Sequence, residues 1–213
     1  MDFLDQVIVN YTEQHTSVES ELLQELNRET QAKVLMPRML SGHLQGRILS
    51  MISYMIRPKY VLEIGTYTGY SALCLAEGLQ ADGMVHTIDI NDELNPMVLR
   101  YAKKAGLDSK IKTHIGNALD LIPGLSYQFD IVFIDADKIN YSNYFDLVID
   151  KIRPGGFIIA DNVLWSGKIL DSAEKMDADT KAIHAFNEKI QVDKRVENVL
   201  LPVRDGLLFI RVI

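Results

Sequence analysis

The stretch "VLEIGTYTGYSALCLAEGL", residues 61–79, decides the predicted fold. Its first part is a short apolar run that predicts a buried strand ending at Ile64, and residues 71–79 have the apolar spacing of a helix. Gly65 and Gly69 lie between them, where glycine lets the backbone turn tightly and approach a ligand closely. A strand, a glycine turn and a helix in this order predict an open α/β sheet, in which ligands bind beyond the carboxyl ends of the strands.

From Lys59 onward, short apolar runs alternate with helical patterns. This alternation is typical of a parallel sheet that is covered by helices on both faces. The predicted strands are 60–64, 84–89, 111–115, 129–134 and 156–160, and the predicted helices are 71–79, 94–105, 141–152 and 180–190.

The two ends of the chain differ from this pattern. Residues 1–57 have helical periodicity, for example at Val18, Leu22, Leu23 and Leu26, and Pro58 ends the helical segment. The tail "NVLLPVRDGLLFIRVI", 198–213, consists of two strand-like runs separated by Arg204, Asp205 and Gly206, and Asp-Gly is a strong hairpin signal. We therefore predict one domain over 1–213, with a helical segment 1–57 and a Rossmann-like core 58–213. An antiparallel hairpin that closes a parallel sheet favours the methyltransferase version of this fold.

Composition excludes several classes of protein. The chain has 29 acidic and 22 basic residues, and its net charge of −7 disfavours broad electrostatic capture of nucleic acid. No apolar run reaches the ~18 residues of a membrane span. The acidic N-terminal stretch is unlike a signal peptide, and the single cysteine, Cys74, lies in an apolar run. We therefore expect a cytoplasmic protein with a buried thiol and no membrane partner.

The glycine loop favours one kind of ligand. Its spacing is G-x-x-x-G, whereas NAD sites have G-x-G-x-x-G. Glu63, just before the turn, would repel a pyrophosphate but attract an ammonium or a sulfonium. Asp89, about twenty residues downstream, can bind a ribose, and Ser71 can cap the helix. These features favour S-adenosylmethionine, with the alternative that Gly65 and Gly69 only form a turn and Asp89 is only a cap.

Two neighbouring strands end in acidic or amide side chains. Asp135 follows the fourth predicted strand, and Asp161 and Asn162 follow the fifth. Adjacent strands lie about 4.8 Å apart, so these oxygens can share one ion, with Mg²⁺ favoured and Mn²⁺ or Ca²⁺ as substitutes. The histidines, at 15, 43, 86, 114 and 184, are scattered, which disfavours zinc. The alternative is that Asp135 caps a helix and the other two residues form a polar turn.

Lys138 lies three positions after Asp135. A substrate with two neighbouring hydroxyls could chelate the metal ion. Beside it, this lysine could act as a neutral base or, if charged, could stabilise a phenolate. It could also be an ordinary surface lysine. The residues alone leave these three roles open.

Taken together, these segments resemble the cation-dependent O-methyltransferases, the family of caffeoyl-CoA and catechol O-methyltransferases and their bacterial relatives. The resemblance covers about residues 30–213 and depends on five motifs in family order. The motifs are "MLSGHLQGR" at 39–47, residues 61–73 of the opening stretch, "FDIVFIDADKINY" at 129–141, "RPGGFIIADNVLWSG" at 153–167 and "PVRDGLLF" at 202–209. The resemblance implies the class I methyltransferase fold and a homodimer.

The resemblance also implies the roles of individual residues. The implied S-adenosylmethionine contacts are Met39, Ser41, Glu63, Gly65, Thr66, Tyr67, Ser71, Asp89, Ala118 and Asp135. The implied metal ligands are Asp135, Asp161 and Asn162, with Lys138 and Asp135 as the catalytic residues. Lys138, Trp165 and Ser166 are the candidate substrate contacts, although simple loop packing is an alternative for Trp165. Plant acyl-CoA enzymes have asparagine where this chain has Ser166, which argues against caffeoyl-CoA itself.

Three functions follow as hypotheses. The first is methyl transfer from S-adenosylmethionine to one hydroxyl of a catechol-like small molecule. The second is methylation of hydroxyuridine in tRNA, for which Arg57, Lys59 and Lys112 could form a basic rim. The third is a non-catalytic nucleotide-binding module or an NAD oxidoreductase, and the glycine spacing disfavours the oxidoreductase.

Overall fold

The computed structural model describes residues 5–213, which form seven strands and eight α-helices. The strands are β1 (Tyr60–Ile64), β2 (Met84–Asp89), β3 (Ile111–Ile115), β4 (Phe129–Ile134), β5 (Ile152–Asp161), β6 (Val196–Leu201) and β7 (Leu207–Val212). The helices are α1 (Gln6–Gln14), α2 (Glu21–Lys33), α3 (Gly42–Ile56), α4 (Tyr70–Ala76), α5 (Asn95–Lys104), α6 (Ala118–Leu121), α7 (Tyr141–Val148) and α8 (Ala178–Val192). Short 3₁₀ turns span Pro37–Met39, Ile122–Gly124, Lys138–Asn140, Ile149–Lys151 and Trp165–Leu170.

The strands form one sheet in the order β3-β2-β1-β4-β5-β7-β6. The pairs β1–β2, β2–β3 and β4–β5 are parallel, whereas β7 is antiparallel to both β5 and β6. The predicted architecture, a mostly parallel sheet with a C-terminal antiparallel hairpin, is confirmed. Within the described chain, contacts define two compact units, Val7–Asn117 and Ala118–Ile213. The single domain over 1–213 stays a prediction.

In the first unit, β1, β2 and β3 begin and end at the predicted residues. Val61, Leu62 and Ile64 of β1 are each at most 1% exposed, as expected for a strand covered on both faces. Burial of each such side chain contributes about 1.5–3 kcal/mol. The first unit therefore has its apolar core around the strand that leads into the glycine loop.

Two expectations for the first unit are wrong. Val18, predicted to belong to one helical pattern with Leu22, Leu23 and Leu26, lies outside α2, which begins only at Glu21 with Ser20 as its N-cap, and it is 79% exposed. Ser71 does not cap α4, because the helix begins one residue earlier and Gly69 is the cap, at φ 85°. Glycine suits this position because a Cβ there would lie 3.0 Å from Cγ1 of Val98.

The buried cysteine is confirmed. Cys74 is fully buried on α4, and burial raises the pKa of its thiol to about 12. Arg47 lies beside it, with Nη2 at 3.6 Å from Sγ, and forms an ion pair with Glu77 at 2.7 Å. This thiol therefore stays neutral and packs as an apolar group.

In the second unit, β4 has the predicted bounds, whereas β5 begins at Ile152, four residues before the predicted start. The hairpin of β6 and β7 is confirmed, but its connection also includes Pro202 and Val203. Arg204 and Gly206 have positive φ and Asp205 does not, so Asp205 is not the positive-φ residue of a two-residue Asp-Gly turn. No helix in residues 5–213 has both the length and the apolar character to cross a membrane.

Candidate active site

In the first unit, a carboxylate joins the glycine loop to the end of β2. The loop contains three residues with positive φ, namely Gly65, Tyr67 and Gly69. The backbone N–H of Tyr67 donates to Oδ2 of Asp89 at 2.7 Å, and the N–H of Asn91 donates to Oδ1 at 2.9 Å. Asp89 thus organises the loop and the turn after β2 together.

A small open pocket lies beside this carboxylate. It is lined by Thr66, Tyr67, Asp89, Asn91, Asn95, Val98, Thr113 and Ile115. Oδ1 of Asn95 is buried and receives no hydrogen bond from the described residues, so it remains an acceptor for a ligand N–H. Polar atoms beside apolar side chains suit a nucleoside, which has both a hydrophobic base and hydroxyl groups.

The sequence predicted only part of this lining. Thr66, Tyr67 and Asp89 were expected, and the structure brings them together in the pocket. Asn91 and Asn95 were not predicted, although their positions just after the predicted second strand were a usable signal.

Glu63, expected to attract a cationic ligand, is fully buried in β1. Its Oε2 accepts a hydrogen bond from Oγ1 of Thr87 at 2.5 Å, and Thr87 Oγ1 is also 2.5 Å from Oγ1 of Thr66. The carboxylate is therefore linked through a hydroxyl pair to a residue of the pocket. Gly65 and Ser71 do not line the pocket.

The segment before α3 contacts the glycine loop through Tyr67. The Tyr67 hydroxyl lies 3.1 Å from the carbonyl oxygen of Leu35 and 3.2 Å from that of Met36. Ser41 is buried, whereas Met39 is 57% exposed, and neither residue lines the pocket. Their predicted cofactor contacts stay predictions.

In the second unit, Lys138 lies at the centre of a polar cluster. Its side chain is only 8% exposed, and its Nζ donates to Oδ1 of Asn162 at 2.9 Å, to Oδ1 of Asp135 at 3.3 Å and to the hydroxyl of Tyr141 at 2.6 Å. The structure therefore brings the two acidic strand ends together, as the sequence predicted. A buried lysine with three acceptors is not an ordinary surface lysine.

Asp161 and Asn162 adopt a specific local geometry. Asp161 is 3% exposed, and its Oδ1 accepts the backbone N–H of Asn162 at 2.7 Å. Asn162 has φ 59°, a left-handed conformation that asparagine tolerates better than most residues. Ala118 is the other residue of this unit, besides Asp135, that was predicted to contact the cofactor. It is buried at the start of α6.

The oxygen atoms of this cluster fit a hard dication. Two carboxylates and one amide form a donor set of the kind that Mg²⁺ takes, completed by water or substrate oxygens. In the described part of the chain, no three His, Cys, Asp or Glu side chains lie close enough together to hold a metal ion. This donor set therefore depends on the amide oxygen of Asn162. Asp137 is not a member, because its carboxylate accepts from Tyr144 and Asn140.

Trp165 contacts the lysine cluster. Nζ of Lys138 lies 5.6 Å from the centroid of the Trp165 ring. Trp165, Ser166 and Gly167 all have positive φ, with values of 46°, 53° and 78°. Such backbone conformations in non-glycine residues require support from their surroundings.

That support comes from Asp205 in the β6–β7 connection. Its Oδ1 accepts the backbone N–H of Ser166 at 2.5 Å, and its carbonyl oxygen accepts the N–H of Leu164 at 2.9 Å. Burial raises the pKa of the Asp205 carboxyl. The sequence predicted Asp205 only as a hairpin residue, and its contact with the turn that carries Trp165 was not predicted.

Comparison with known proteins establishes the family. A family model described as O-methyltransferase matches residues 13–213. The chain belongs to this O-methyltransferase family. Caffeoyl-CoA O-methyltransferase from Stellaria longipes is 36% identical over 203 residues, covering 91% of this chain and 84% of that protein. The enzyme of the same name from Medicago sativa is 36% identical over 207 residues, with coverages of 91% and 82%.

Two solved methyltransferase structures have the same fold as this chain. The O-methyltransferase from Bacillus cereus in complex with SAH has a TM-score of 0.89, 29% identity and 97% coverage of both chains. SAH-bound methyltransferase PaMTH1 from Podospora anserina has a TM-score of 0.90 and 27% identity, covering 98% of this chain and 94% of that one. The predicted fold class and the predicted enzyme class, an S-adenosylmethionine-dependent O-methyltransferase, are confirmed. The hypothesis of an oxidoreductase or a non-catalytic module is therefore set aside.

Proposed function

We propose that this O-methyltransferase methylates one hydroxyl of a small aromatic molecule with two neighbouring hydroxyls, with Mg²⁺ as its metal. The observation that carries the proposal is the convergence of Asp135 and Asn162 on the ammonium of Lys138, with Asp161 adjacent in the chain. One cluster thereby contains both the oxygen ligands for a dication and the buried ammonium of Lys138. That combination suits a substrate that becomes an anion during the reaction.

S-adenosylmethionine supplies an electrophilic methyl group on its sulfonium. The pocket of the first unit supports binding of its adenosine, because the Asp89 carboxylate can accept ribose hydroxyls and Asn95 Oδ1 can accept an N–H. The remaining contacts proposed on the resemblance are Met39, Ser41, Glu63, Gly65, Thr66, Tyr67, Ser71, Ala118 and Asp135. Tyr67 has the strongest support among these, since its backbone is fixed by Asp89.

Asp135, Asp161 and Asn162 would hold the metal, with Mn²⁺ or Ca²⁺ as substitutes. A bound dication supplies Lewis acidity that favours the ionised form of a phenolic hydroxyl. A phenol has a pKa of about 10, so its ionisation at neutral pH costs about 4 kcal/mol without such help. The hydrogen bond from the backbone N–H of Asn162 to Oδ1 of Asp161 fixes the orientation of the Asp161 carboxylate.

Lys138 acts in this proposal as a charged group. An ammonium has three N–H donors, and the structure provides three acceptors for them. Held in this way, the positive charge stabilises the phenolate oxygen that attacks the methyl group. Charge stabilisation is thus the proposed role of Lys138, and proton abstraction as a neutral base is the alternative.

The substrate is proposed to be a free catechol-like molecule. Trp165 beside Lys138 offers a flat apolar surface for an aromatic ring. Ser166 stands where the plant enzymes have asparagine, which argues against caffeoyl-CoA itself. For the tRNA alternative, Lys59 of the basic rim already pairs with Asp82 at 2.8 Å, which weakens that surface. The homodimer and the cytoplasmic location stay predictions.

The test is a methylation assay with S-adenosylmethionine, Mg²⁺ and a panel of catechols. Turnover is expected with at least one catechol, and EDTA or Asp161→Ala should abolish it, whereas added Mg²⁺ should restore the chelated wild type. Asp171→Ala, which removes an exposed aspartate of the same unit, is the matched control and should remain active. Undiminished turnover in EDTA or in Asp161→Ala would overturn the metal assignment. Methylation of tRNA without turnover of any catechol would favour the alternative.

A further inference from the structure

Tyr141 connects the lysine of the cluster to the protein core. It is the first residue of α7, three positions after Lys138, and its side chain is fully buried. Its ring packs edge-on against Phe186 of α8, with centroids 5.5 Å apart and planes at 90°. The position of the phenol is therefore fixed by core packing, independently of any ligand.

The hydroxyl of Tyr141 lies in a directed chain of hydrogen bonds. Lys138 Nζ donates to it at 2.6 Å, the shortest of the three contacts that the ammonium makes. A lysine ammonium only donates, so the phenol oxygen accepts there and its own proton is available for the Asp161 carbonyl oxygen at 3.0 Å. The chain runs from the Lys138 ammonium through Tyr141 to the backbone of Asp161.

We propose that Tyr141 is a positioning residue for methyl transfer, which holds the Lys138 ammonium in place through its hydroxyl. A lysine side chain has four flexible carbons and loses rotamer freedom when one geometry is imposed. The contact with Asp135, at 3.3 Å, is the longest and most readily exchanged for a substrate oxygen. Tyr141 then retains the ammonium while that exchange takes place. The role in catalysis rests on the proposed function, whereas the role in placing Nζ does not.

The deciding variant is Tyr141→Phe, which keeps the ring against Phe186 and removes only the hydroxyl. We expect kcat for a catechol to fall about tenfold to a hundredfold, the usual cost of losing a group that orients a catalytic side chain. The KM for S-adenosylmethionine should stay unchanged, because the hydroxyl is fully buried between Lys138 and the carbonyl oxygen of Asp161. A comparison of crystal structures of the wild type and of Tyr141→Phe should show Lys138 Nζ of the variant displaced from its wild-type position by more than about 0.5 Å, the tolerance of a productive site.

Tyr101→Phe is the matched control. Tyr101 lies in the first unit and is also fully buried, and its hydroxyl donates to Glu29 of the same unit at 2.7 Å. Both variants should lose some thermal stability, but only Tyr141→Phe should have a lower kcat than the wild type. In a Lys138→Gln background, Tyr141→Phe should have no further effect on kcat, because Tyr141 acts through the lysine.

Each outcome decides the inference. The inference would be overturned by a wild-type kcat in Tyr141→Phe or by an Nζ of Lys138 that stays in place. It would also be overturned if Tyr141→Phe lowered kcat in the Lys138→Gln background by as much as in the wild type. If no catechol is turned over by the wild type, the proposed function fails and the displacement of Nζ alone decides the positioning role. If Tyr141→Phe does not fold, Tyr141→Met, which also lacks the hydroxyl and fills an apolar space flexibly, takes its place.

Discussion

The backbone N–H of Tyr67 and the carboxylate of Asp89 are joined by a 2.7 Å hydrogen bond between two segments that are separate in the sequence. The second carboxylate oxygen accepts from Asn91. One side chain therefore holds two walls of the pocket in position before a ligand binds. Preorganisation of this kind reduces the ordering cost that binding would otherwise incur.

Asp89→Ala should weaken S-adenosylmethionine binding by about tenfold to a hundredfold, the equivalent of one charge-assisted hydrogen bond. The loss combines the missing ribose acceptor with a less ordered loop. Isothermal titration calorimetry measures the affinity directly. Asp108→Ala removes an exposed aspartate of the same unit and should bind like the wild type. Equal affinities in both variants would show that Asp89 is only a cap.

Lys138→Gln should reduce kcat by about a hundredfold to a thousandfold, the usual effect of removing one group that stabilises charge in the transition state. Lys138→Arg should retain more activity than Lys138→Gln, because it keeps the positive charge. Steady-state kinetics with a catechol measures both. Lys168→Gln, at a half-exposed lysine that pairs with Asp177, is the control and should keep the wild-type kcat. Equal losses in the glutamine and arginine variants would instead indicate proton abstraction by Lys138.

The strands β1 to β4 could be predicted residue by residue, because each is a short run rich in apolar and β-branched residues. The meeting of Asp135 with Asn162 was equally predictable, since parallel neighbouring strands end at the same edge. The roles of Tyr141 and Asp205 were not. Each depends on a contact between distant segments, 20 residues apart for Tyr141 and Asp161 and 39 for Ser166 and Asp205. Local periodicity contains no information about such contacts.

Asp205→Ala should loosen the turn that carries Trp165. The amide of Ser166 would lose an acceptor, and its hydrogen exchange should accelerate by about tenfold to a hundredfold. The KM for the aromatic substrate should rise while the KM for S-adenosylmethionine stays unchanged. Mass-spectrometric hydrogen exchange and steady-state kinetics measure the two effects. Asp205→Asn keeps an acceptor oxygen and is the control. Unchanged exchange at Ser166 in the alanine variant would contradict this role.

The buried histidine of β2 predicts how stability depends on pH. His86 is fully buried, and its Nδ1 lies 3.0 Å from Nε2 of His114. Burial, and then the charges of His114 and Lys112, lower the pKa of His86 from 6.5 to about 4. The unfolded chain binds a proton near pH 6.5 and the folded protein only near pH 4, so the free energy of unfolding decreases as the pH falls between these values.

Urea unfolding at pH 7 and pH 4.5 checks this prediction. The wild type should lose on the order of 2 kcal/mol from this one group over that interval. The glutamine of His86→Gln cannot take up the proton in either state. The decrease in its free energy of unfolding between pH 7 and pH 4.5 should therefore be smaller by that amount. His184→Gln, at an exposed histidine of α8, is the control for the loss of an imidazole and should behave like the wild type. The same pH dependence in all three proteins would mean that the buried imidazole pair does not control acid stability.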